Sequence, residues 1–284
     1  MSTLEVRGLA KDYRLRQGLR GSVLRAVDDV SFSLEPRRTV ALVGQSGSGK
    51  STIAKLLMQL ERPTAGEIRL DGAPIERRGA GLARYRRTVQ MVFQDPFASL
   101  NPYHSVAHHL ERPIRLHHPG MSDADVRRRV VELLERVRLT PAGEVARRRP
   151  HELSGGQRQR VAIARALAPE PGILVADEPV SMLDVSIRLG VLNLLATLQR
   201  EEDLGVLYIT HDLATARHFS DEILVLHRGR VVERGPADEV ILRPRHEYTK
   251  TLAEAAPNPE RRVRHMRGGA GNNHDEGPPN DDHL

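Results

Sequence analysis

The sequence predicts an α/β fold in which helices cover a mainly parallel sheet. Short apolar runs typical of buried strands alternate with segments whose apolar residues recur at helical spacing. Two of these runs, VALVG and ILVAD, lead straight into glycine-rich or acidic residues, as expected where strands end at the ligand-binding edge of such a sheet. The alternation also stops near residue 95 and resumes near residue 155, which indicates an insert.

The first 95 residues are expected to contain several strands and one helix. The strand-like stretches are LEVRGLAKDY, AVDDVSFSLEPRRTVALVG, GEIRLDG and RTVQMVFQDP. The helix is KSTIAKLLMQL, because its apolar residues Ile53, Leu56, Leu57 and Leu60 recur at helical spacing. We expect the last of these strands to stop at Asp95, since a proline follows it.

The middle of the chain, from about residue 95 to residue 160, is expected to form a helical insert. DADVRRRVVELLERVRL is amphipathic with arginines on its outer side, and HSVAHHLERPI is expected to be helical as far as Pro113. Helix and strand then alternate through QRQRVAIARALA, GILVADEP, IRLGVLNLLATLQREED, GVLYITHD and LATARHFS, and the hairpin EILVLHRGRVVERG follows.

One domain is therefore expected over residues 1–256, with the helical insert inside it. Residues 257–284 are rich in proline, glycine, asparagine and charge. Such a segment cannot bury enough apolar surface to offset the entropy of ordering it, so we expect this tail to be disordered.

Composition narrows the possible functions. The chain of 284 residues has no cysteine, which excludes disulfides and thiolate metal sites and fits the cytoplasm. No apolar run approaches the roughly 18–20 residues that span a bilayer. We expect no signal peptide, because the N-terminus lacks a basic stretch followed by an apolar run. The net charge of +6 comes from 43 basic and 37 acidic residues that are interspersed, which favours a mixed surface over a nucleic-acid-binding one.

The stretch GQSGSGKS, from Gly44 to Ser51, matches the phosphate-loop pattern and has a strand before it and a helix after it. Its glycines allow backbone amides to point at one spot, where they and the helix N-terminus stabilise phosphate oxygens. Lys50 is expected to reach the β- and γ-phosphates, and Ser51 to coordinate Mg²⁺. The alternative is a glycine-rich turn without a ligand. The residues expected to contact nucleotide here are Gly44, Gln45, Ser46, Gly47, Ser48, Gly49, Lys50, Ser51 and Thr52.

The stretch ILVADEP supplies two carboxylates at the end of a predicted buried strand. Asp177 suits Mg²⁺, through water, and Glu178 is close enough to activate a water against the γ-phosphate. The alternative is an acidic pair that caps a helix before Pro179. Together with the phosphate loop, this pair predicts nucleotide hydrolysis.

The stretch LSGGQ, residues 153–157, predicts a second anion site about a hundred residues after the first. Ser154 can cap the following helix, and Gly155 and Gly156 leave the helix amides uncovered. A plain N-cap is the alternative, but it would need the serine and not two glycines, each of which costs conformational entropy.

The position of Leu153-Ser154-Gly155-Gly156-Gln157 between the two ATPase motifs resembles the signature of ATP-binding-cassette (ABC) ATPases, and the likeness covers roughly residues 3–256. The resemblance implies a P-loop NTPase cassette with a RecA-like core, an N-terminal antiparallel β-subdomain and a helical subdomain. It also implies that the signature residues Ser154 and Gln157, with the two glycines between them, contact ATP.

Other motifs of that family follow in order. Gln94 resembles the Q-loop glutamine that senses Mg²⁺ and the γ-phosphate. SMLD, which ends at Asp184, resembles the D-loop, although Met182 stands where members commonly have alanine. His211 resembles the switch histidine that contacts the γ-phosphate, and Tyr13 resembles the aromatic residue that stacks on adenine.

In this family two cassettes enclose two ATP molecules head to tail, each between the phosphate loop of one copy and the signature of the other. The resemblance therefore implies a second cassette, identical or paralogous, as a partner. The γ-phosphate joins the two faces, so their association depends on the nucleotide.

FQDPFASLNP and HEYTKTL resemble the oligopeptide and dipeptide importer branch, although Glu247 stands where that branch usually has proline. This resemblance implies two membrane-spanning permease subunits, an extracytoplasmic solute-binding protein acting indirectly, and a peripheral location on the cytoplasmic face of the membrane. The alternative is a soluble ABC ATPase that serves a cytosolic enzyme complex, such as a phosphonate-degrading one. Cassettes that bind nucleic acid or ribosomes usually are tandem or carry a long coiled coil, so no nucleic-acid partner is expected.

Overall fold

The computed structural model describes residues 2–17 and 20–255. The predicted tail, residues 257–284, lies outside the described residues. The strands are β1 Leu4–Gln17, β2 Arg20–Leu34, β3 Thr39–Val43, β4 Ala65–Leu70, β5 Ala73–Pro74, β6 Val89–Val92, β7 Ile173–Asp177, β8 Gly205–Thr210, β9 Glu222–His227 and β10 Arg230–Pro236. The helices are α1 Lys50–Leu57, α2 Gly79–Thr88, α3 Pro96–Ser99, α4 Val106–His117, α5 Asp123–Arg136, α6 Ala142–Arg147, α7 Gly155–Leu167, α8 Val185–Glu201, α9 Leu213–Phe219, α10 Ala237–Leu242 and α11 Glu247–Ala255.

Two sheets form the framework. The first has the strand order β2-β1-β4-β5 and is antiparallel. The second has the order β10-β9-β3-β8-β7-β6 and is parallel except for β10, which pairs antiparallel with β9. The expected α/β fold, with an antiparallel N-terminal sheet, is therefore confirmed.

The parallel strands bring their carboxyl ends to one edge of the second sheet. In the register, Val43 at the end of β3 lies opposite Thr210 at the end of β8, and Asp177 at the end of β7 lies opposite Ile209. The residues that follow these three strands are consequently neighbours, and such an edge is where open α/β sheets bind ligands.

The central strand β3 contributes to two apolar cores, because successive side chains of a strand point to opposite faces. Ala41 and Val43 join the core that contains the helical insert, α7 and α8. Val40 and Leu42 join the core that contains α1 and the antiparallel sheet. The sheet therefore holds the phosphate loop between two packed layers.

The insert consists of helices α3 to α6 and one 3₁₀ turn, Pro150–Glu152. Helices α4, α5 and α6 pack against one another, and α4 and α5 also contact α7, which leads back to the sheet. Within the described residues, no helix is both long and apolar enough to cross a membrane.

Two predicted helix limits are wrong. Helix α1 ends at Leu57, and Leu60, which we had placed on its apolar face, is exposed beyond Gln59, whose φ of 55° turns the chain away. Helix α4 continues past Pro113 to His117. Burial of Val106 and Ile114 on its inner face outweighs the cost of a proline inside a helix, about 3 kcal/mol.

Other elements differ in extent or were not predicted. Strand β6 covers only four residues of RTVQMVFQDP, and β1 extends beyond LEVRGLAKDY. Strand β5 and helices α2, α3, α6, α10 and α11 were not predicted individually. In α2 only Tyr85 is buried, so this helix shows almost no apolar periodicity in its sequence.

Candidate nucleotide site

The phosphate loop, Gly44 to Ser51, connects β3 to α1 as the sequence predicts. Two of its glycines are required by their surroundings. A Cβ at Gly44 would lie 2.3 Å from the carbonyl oxygen of Leu226, and one at Gly49 would lie 2.4 Å from that of Ala26. Gly49 also has a φ of 114°, which side chains rarely tolerate. The loop is thus packed tightly against the strands behind it, and its other face is exposed at Gln45 and Ser46.

Lys50 is folded back over the loop. Its Nζ donates hydrogen bonds to the carbonyl oxygens of Gly44 at 2.6 Å and Gln45 at 3.0 Å. Burial lowers the pKa of Lys50, while Glu178 and Asp177 nearby act in the opposite direction. The loop therefore holds a buried cation next to exposed backbone, which suits an anionic ligand.

Gln94, Glu178 and His211, which are far apart in the sequence, meet at the edge of the parallel sheet. The Oε1 of Glu178 lies 3.0 Å from Nδ1 of His211, and its Oε2 accepts a hydrogen bond from Nε2 of Gln94 at 3.2 Å. Glu178 has a φ of 43°, and its backbone N–H donates to Ile209 at 2.9 Å. The strained backbone places this carboxylate between two side chains from the segments that follow β6 and β8.

Asp177, at the end of β7, lies beside this group. Burial and the adjacent Glu178 raise the pKa of Asp177, and Lys50 partly opposes the rise. One cation thus faces two neighbouring carboxylates, which leaves negative charge available for a divalent cation.

These residues line one cleft of about 1280 Å³. Its lining includes Tyr13 and Thr52 as well as Gln94, Glu178 and His211. Among the described residues that line it, none comes from the signature, Leu153 to Gln157, and Asp184 is not among them either. The structure therefore brings the phosphate loop and the carboxylates together and leaves the signature outside that cleft.

Tyr13 is held by two residues that sequence reasoning missed. Its hydroxyl donates to Oε2 of Glu61 at 2.6 Å, and Nζ of Lys11 lies 5.0 Å from its ring centre. Burial, with the Glu61 carboxylate, raises the pKa of this hydroxyl. No local signal marks Glu61, because it lies 48 positions away in the sequence.

The signature begins α7, as predicted. Ser154 Oγ accepts the backbone N–H of Gln157 at 3.3 Å, and Oε1 of Gln157 accepts the N–H of Ser154 at 3.0 Å, which together make a capping box. Gly155 has room, since an added Cβ would lie 3.4 Å from Leu183. An added Cβ at Gly156 would lie 2.6 Å from Cγ2 of Ile187. The second glycine is therefore needed for packing against α8, whatever ligand approaches.

Asp184 stands at the start of α8 and makes no side-chain cap hydrogen bond. It is exposed, as are the apolar side chains of Met182, Val185 and Leu189 around it. These residues form an apolar surface beside the signature helix, outside the cleft.

The site fits a magnesium nucleotide. Ser51, Gln94 and Asp177 offer hydroxyl, amide and carboxylate oxygens, the hard donors that Mg²⁺ prefers with water and phosphate completing its shell. Ser48 Oγ is buried without a hydrogen-bond partner among the described residues, which leaves a donor unsatisfied inside the loop. Among the same residues, no cluster of three or more histidine or acidic side chains could hold a metal ion by itself.

Comparison with known proteins identifies the family. The model of the ABC transporter family matches residues 27–181, which is more than half of the chain. The chain belongs to the ABC transporter family. A dipeptide transport ATP-binding protein DppF from Haemophilus influenzae is 44% identical over 253 residues, which cover 88% of this cassette and 76% of that protein.

A glutathione import ATP-binding protein GsiA from Salmonella choleraesuis is 47% identical to the cassette over 258 residues. The alignment covers 89% of this chain but 41% of that protein, so the cassette spans about two fifths of its length. Among solved structures, the ATP-binding cassette MJ0796, a dimer in a post-hydrolysis state bound to ADP and Pi, superposes with a TM-score of 0.71 at 32% identity. That superposition covers 82% of this cassette and 98% of MJ0796. Both GsiA and DppF are named as ATP-binding proteins for import or transport.

Proposed function

We propose that this cassette hydrolyses ATP with Mg²⁺ to drive the import of peptides or similar small solutes through a membrane-spanning partner. The observation that carries the proposal is that Gln94 and His211 both contact the carboxylate of Glu178. These three residues line a cleft that also contains Lys50. Such a group can orient and activate a water against a bound phosphate.

The roles follow from position. Backbone amides from Gly47 to Thr52 and the ammonium of Lys50 hold the phosphates, and Tyr13 presents its ring to adenine. Ser51, Gln94 and Asp177 would hold Mg²⁺, which would supply positive charge against the phosphate oxygens. Glu178 accepts a proton from the attacking water.

His211 contacts the γ-phosphate and, through Nδ1, orients Glu178. Because Glu178 already touches both His211 and Gln94, the loss of the γ-phosphate affects together three residues that follow three different strands. This gives the site a means of reporting hydrolysis to the rest of the cassette.

A second cassette completes the site. The signature, with Ser154, Gly155, Gly156 and Gln157, lies outside the cleft that contains the phosphate loop, so it is free to contact ATP held by a second copy or paralogue. The exposed apolar surface near Asp184 supports a contact there. The dimeric state of MJ0796 is consistent with this arrangement.

The permease subunits are proposed to dock in a second groove, of about 950 Å³, that lies between the helical insert and the sheet edge. This groove shares Gln94 and Asp177 with the nucleotide cleft and includes the exposed side chains of Phe93 and Leu116. Gln94 therefore connects the two sites. The cassette is peripheral at the cytoplasmic face of the membrane, and an extracytoplasmic solute-binding protein acts indirectly.

Copurification from a mild detergent extract tests this proposal. The tagged cassette should retain two membrane-spanning polypeptides, and Leu116→Asp should lose them. Leu242→Asp is the matched control, because Leu242 is also exposed but lies outside the groove. Purification with soluble enzymes alone, or equal retention by both variants, contradicts the proposed docking.

A further inference from the structure

The late segment HEYTKTL, which resembles a motif of the oligopeptide and dipeptide importer branch, lies against the phosphate loop. Its helix α11 brings Tyr248 to Gln45, and the backbone N–H of Gln45 donates to the Tyr248 hydroxyl at 3.0 Å. The two residues are 203 positions apart. Leu252 and Ala255 of the same helix line the nucleotide cleft.

Several contacts fix Tyr248 in this position. The ring of His227, at the end of β9, meets the Tyr248 ring edge to face with centres 3.9 Å apart. The Glu233 carboxylate of β10 accepts the backbone N–H groups of Arg245 at 2.8 Å and His246 at 3.0 Å, just before α11 begins. The Tyr248 ring therefore contacts β9, and the residues just before α11 are bound to β10.

The hydrogen bond from Gln45 to Tyr248 stabilises the start of the phosphate loop independently of Lys50, which binds the carbonyl oxygens there. The ammonium of Lys50 donates to the carbonyl oxygens of Gly44 and Gln45. When its ammonium turns to a phosphate, those two carbonyls lose their partner. The bond between Gln45 and Tyr248 does not involve Lys50, so it can hold the start of the loop in both arrangements.

We propose that Tyr248 is a positioning residue for the phosphate loop, so that α11 is part of the nucleotide site. The inference rests on the proposed function of the cleft. It adds that affinity for nucleotide depends on a single hydroxyl contributed by α11.

The test is the affinity of the full chain for Mg·ADP, labelled with a fluorescent group, which avoids turnover. Tyr248→Phe keeps the ring against His227 and removes only the hydroxyl. We expect its Kd to rise about 3- to 10-fold, the effect of one neutral hydrogen bond. Tyr103→Phe is the matched control, because Tyr103 is 82% exposed and does not line the cleft, and its Kd should equal that of the parent chain.

A double-variant cycle distinguishes an effect of Tyr248 through the Gln45 N–H from a general effect on the structure. Gln45→Pro removes the N–H that Tyr248 accepts, so Tyr248→Phe should then cause no further change in Kd. All measurements are made well below the thermal midpoints of the variants. If Gln45→Pro does not fold by circular dichroism, hydrogen exchange of the Gln45 amide replaces it, and this amide should exchange faster in Tyr248→Phe.

The outcomes distinguish the two proposals. A parent chain that does not bind Mg·ADP contradicts the proposed function itself. A parent chain that binds, with Tyr248→Phe equal to it within error, overturns only the role of Tyr248. A full additional loss in the Gln45→Pro background, or unchanged exchange at Gln45, overturns it as well.

Discussion

The contact between α7 and α8 predicts how much stability the chain loses when Gly156, the second glycine of the signature, is replaced by alanine. In Gly156→Ala the new Cβ would lie 2.6 Å from Cγ2 of Ile187, far inside the separation of two methyl groups. Rotation of Ile187 cannot easily relieve the clash, because a β-branched side chain has few χ1 options. The first turn of α7 must therefore shift away from α8.

The expected cost follows from two opposing effects. Overpacking of this kind costs about 1–3 kcal/mol, and replacement of a helical glycine by alanine returns about 0.5–1 kcal/mol. The midpoints of these two ranges, about 2 and about 0.75 kcal/mol, give an expected net loss of about 1.3 kcal/mol, which lowers the thermal midpoint of a domain this size by roughly 3–5 °C. Thermal denaturation of the nucleotide-free chain, followed by circular dichroism, measures it.

Gly155→Ala is the control, since its Cβ would meet Leu183 at an ordinary 3.4 Å, and its stability should stay within about 0.5 kcal/mol of the parent. The double variant Gly156→Ala/Ile187→Ala should lose less free energy of unfolding than the two single variants together, because the clashing methyl of Ile187 is gone. If Gly156→Ala is as stable as the parent chain, the packing argument is refuted and only anion approach explains this glycine.

Two further predictions concern the cleft. Lys50→Ala should weaken Mg·ATP binding by about 10- to 100-fold, the loss of a charge-assisted hydrogen bond, whereas Lys55→Ala on the exposed side of α1 should not; equal affinities in a titration contradict the assigned role. Asp177 has a pKa raised by burial and by Glu178, so its ionised form destabilises the fold above the ordinary aspartate pKa. Asp177→Asn should raise the thermal midpoint of the nucleotide-free chain near pH 7, with the difference shrinking below about pH 4; a lower midpoint at pH 7 contradicts this reasoning.

The sequence predicts those parts of the site whose chemistry is local. The phosphate loop is predictable because its glycines, Lys50 and Ser51 lie in one short stretch between a strand and a helix. The capping serine of α7, Ser154, is predictable too, because it directly precedes the helix that it caps. The order of strands and helices follows from apolar periodicity, except where Pro113 or a weakly amphipathic helix such as α2 obscures it.

Contacts between distant segments leave no such pattern. The approach of Gln94 and His211 to Glu178 follows from the strand order β8-β7-β6, which a single sequence indicates only through resemblance to a family. The bonds from Tyr13 to Glu61 and from Gln45 to Tyr248, and the contact of Gly156 with Ile187, depend on tertiary packing.

The central claim is that ATP joins two cassettes and that its hydrolysis separates them. Light scattering on Glu178→Gln with saturating ATP and Mg²⁺, in the presence of the second cassette if that is a paralogue, tests it most directly. We predict a mass of two cassettes with ATP and of one with ADP, and no dimer when Lys50→Ala is added. A mass of one cassette in saturating ATP would contradict the claim.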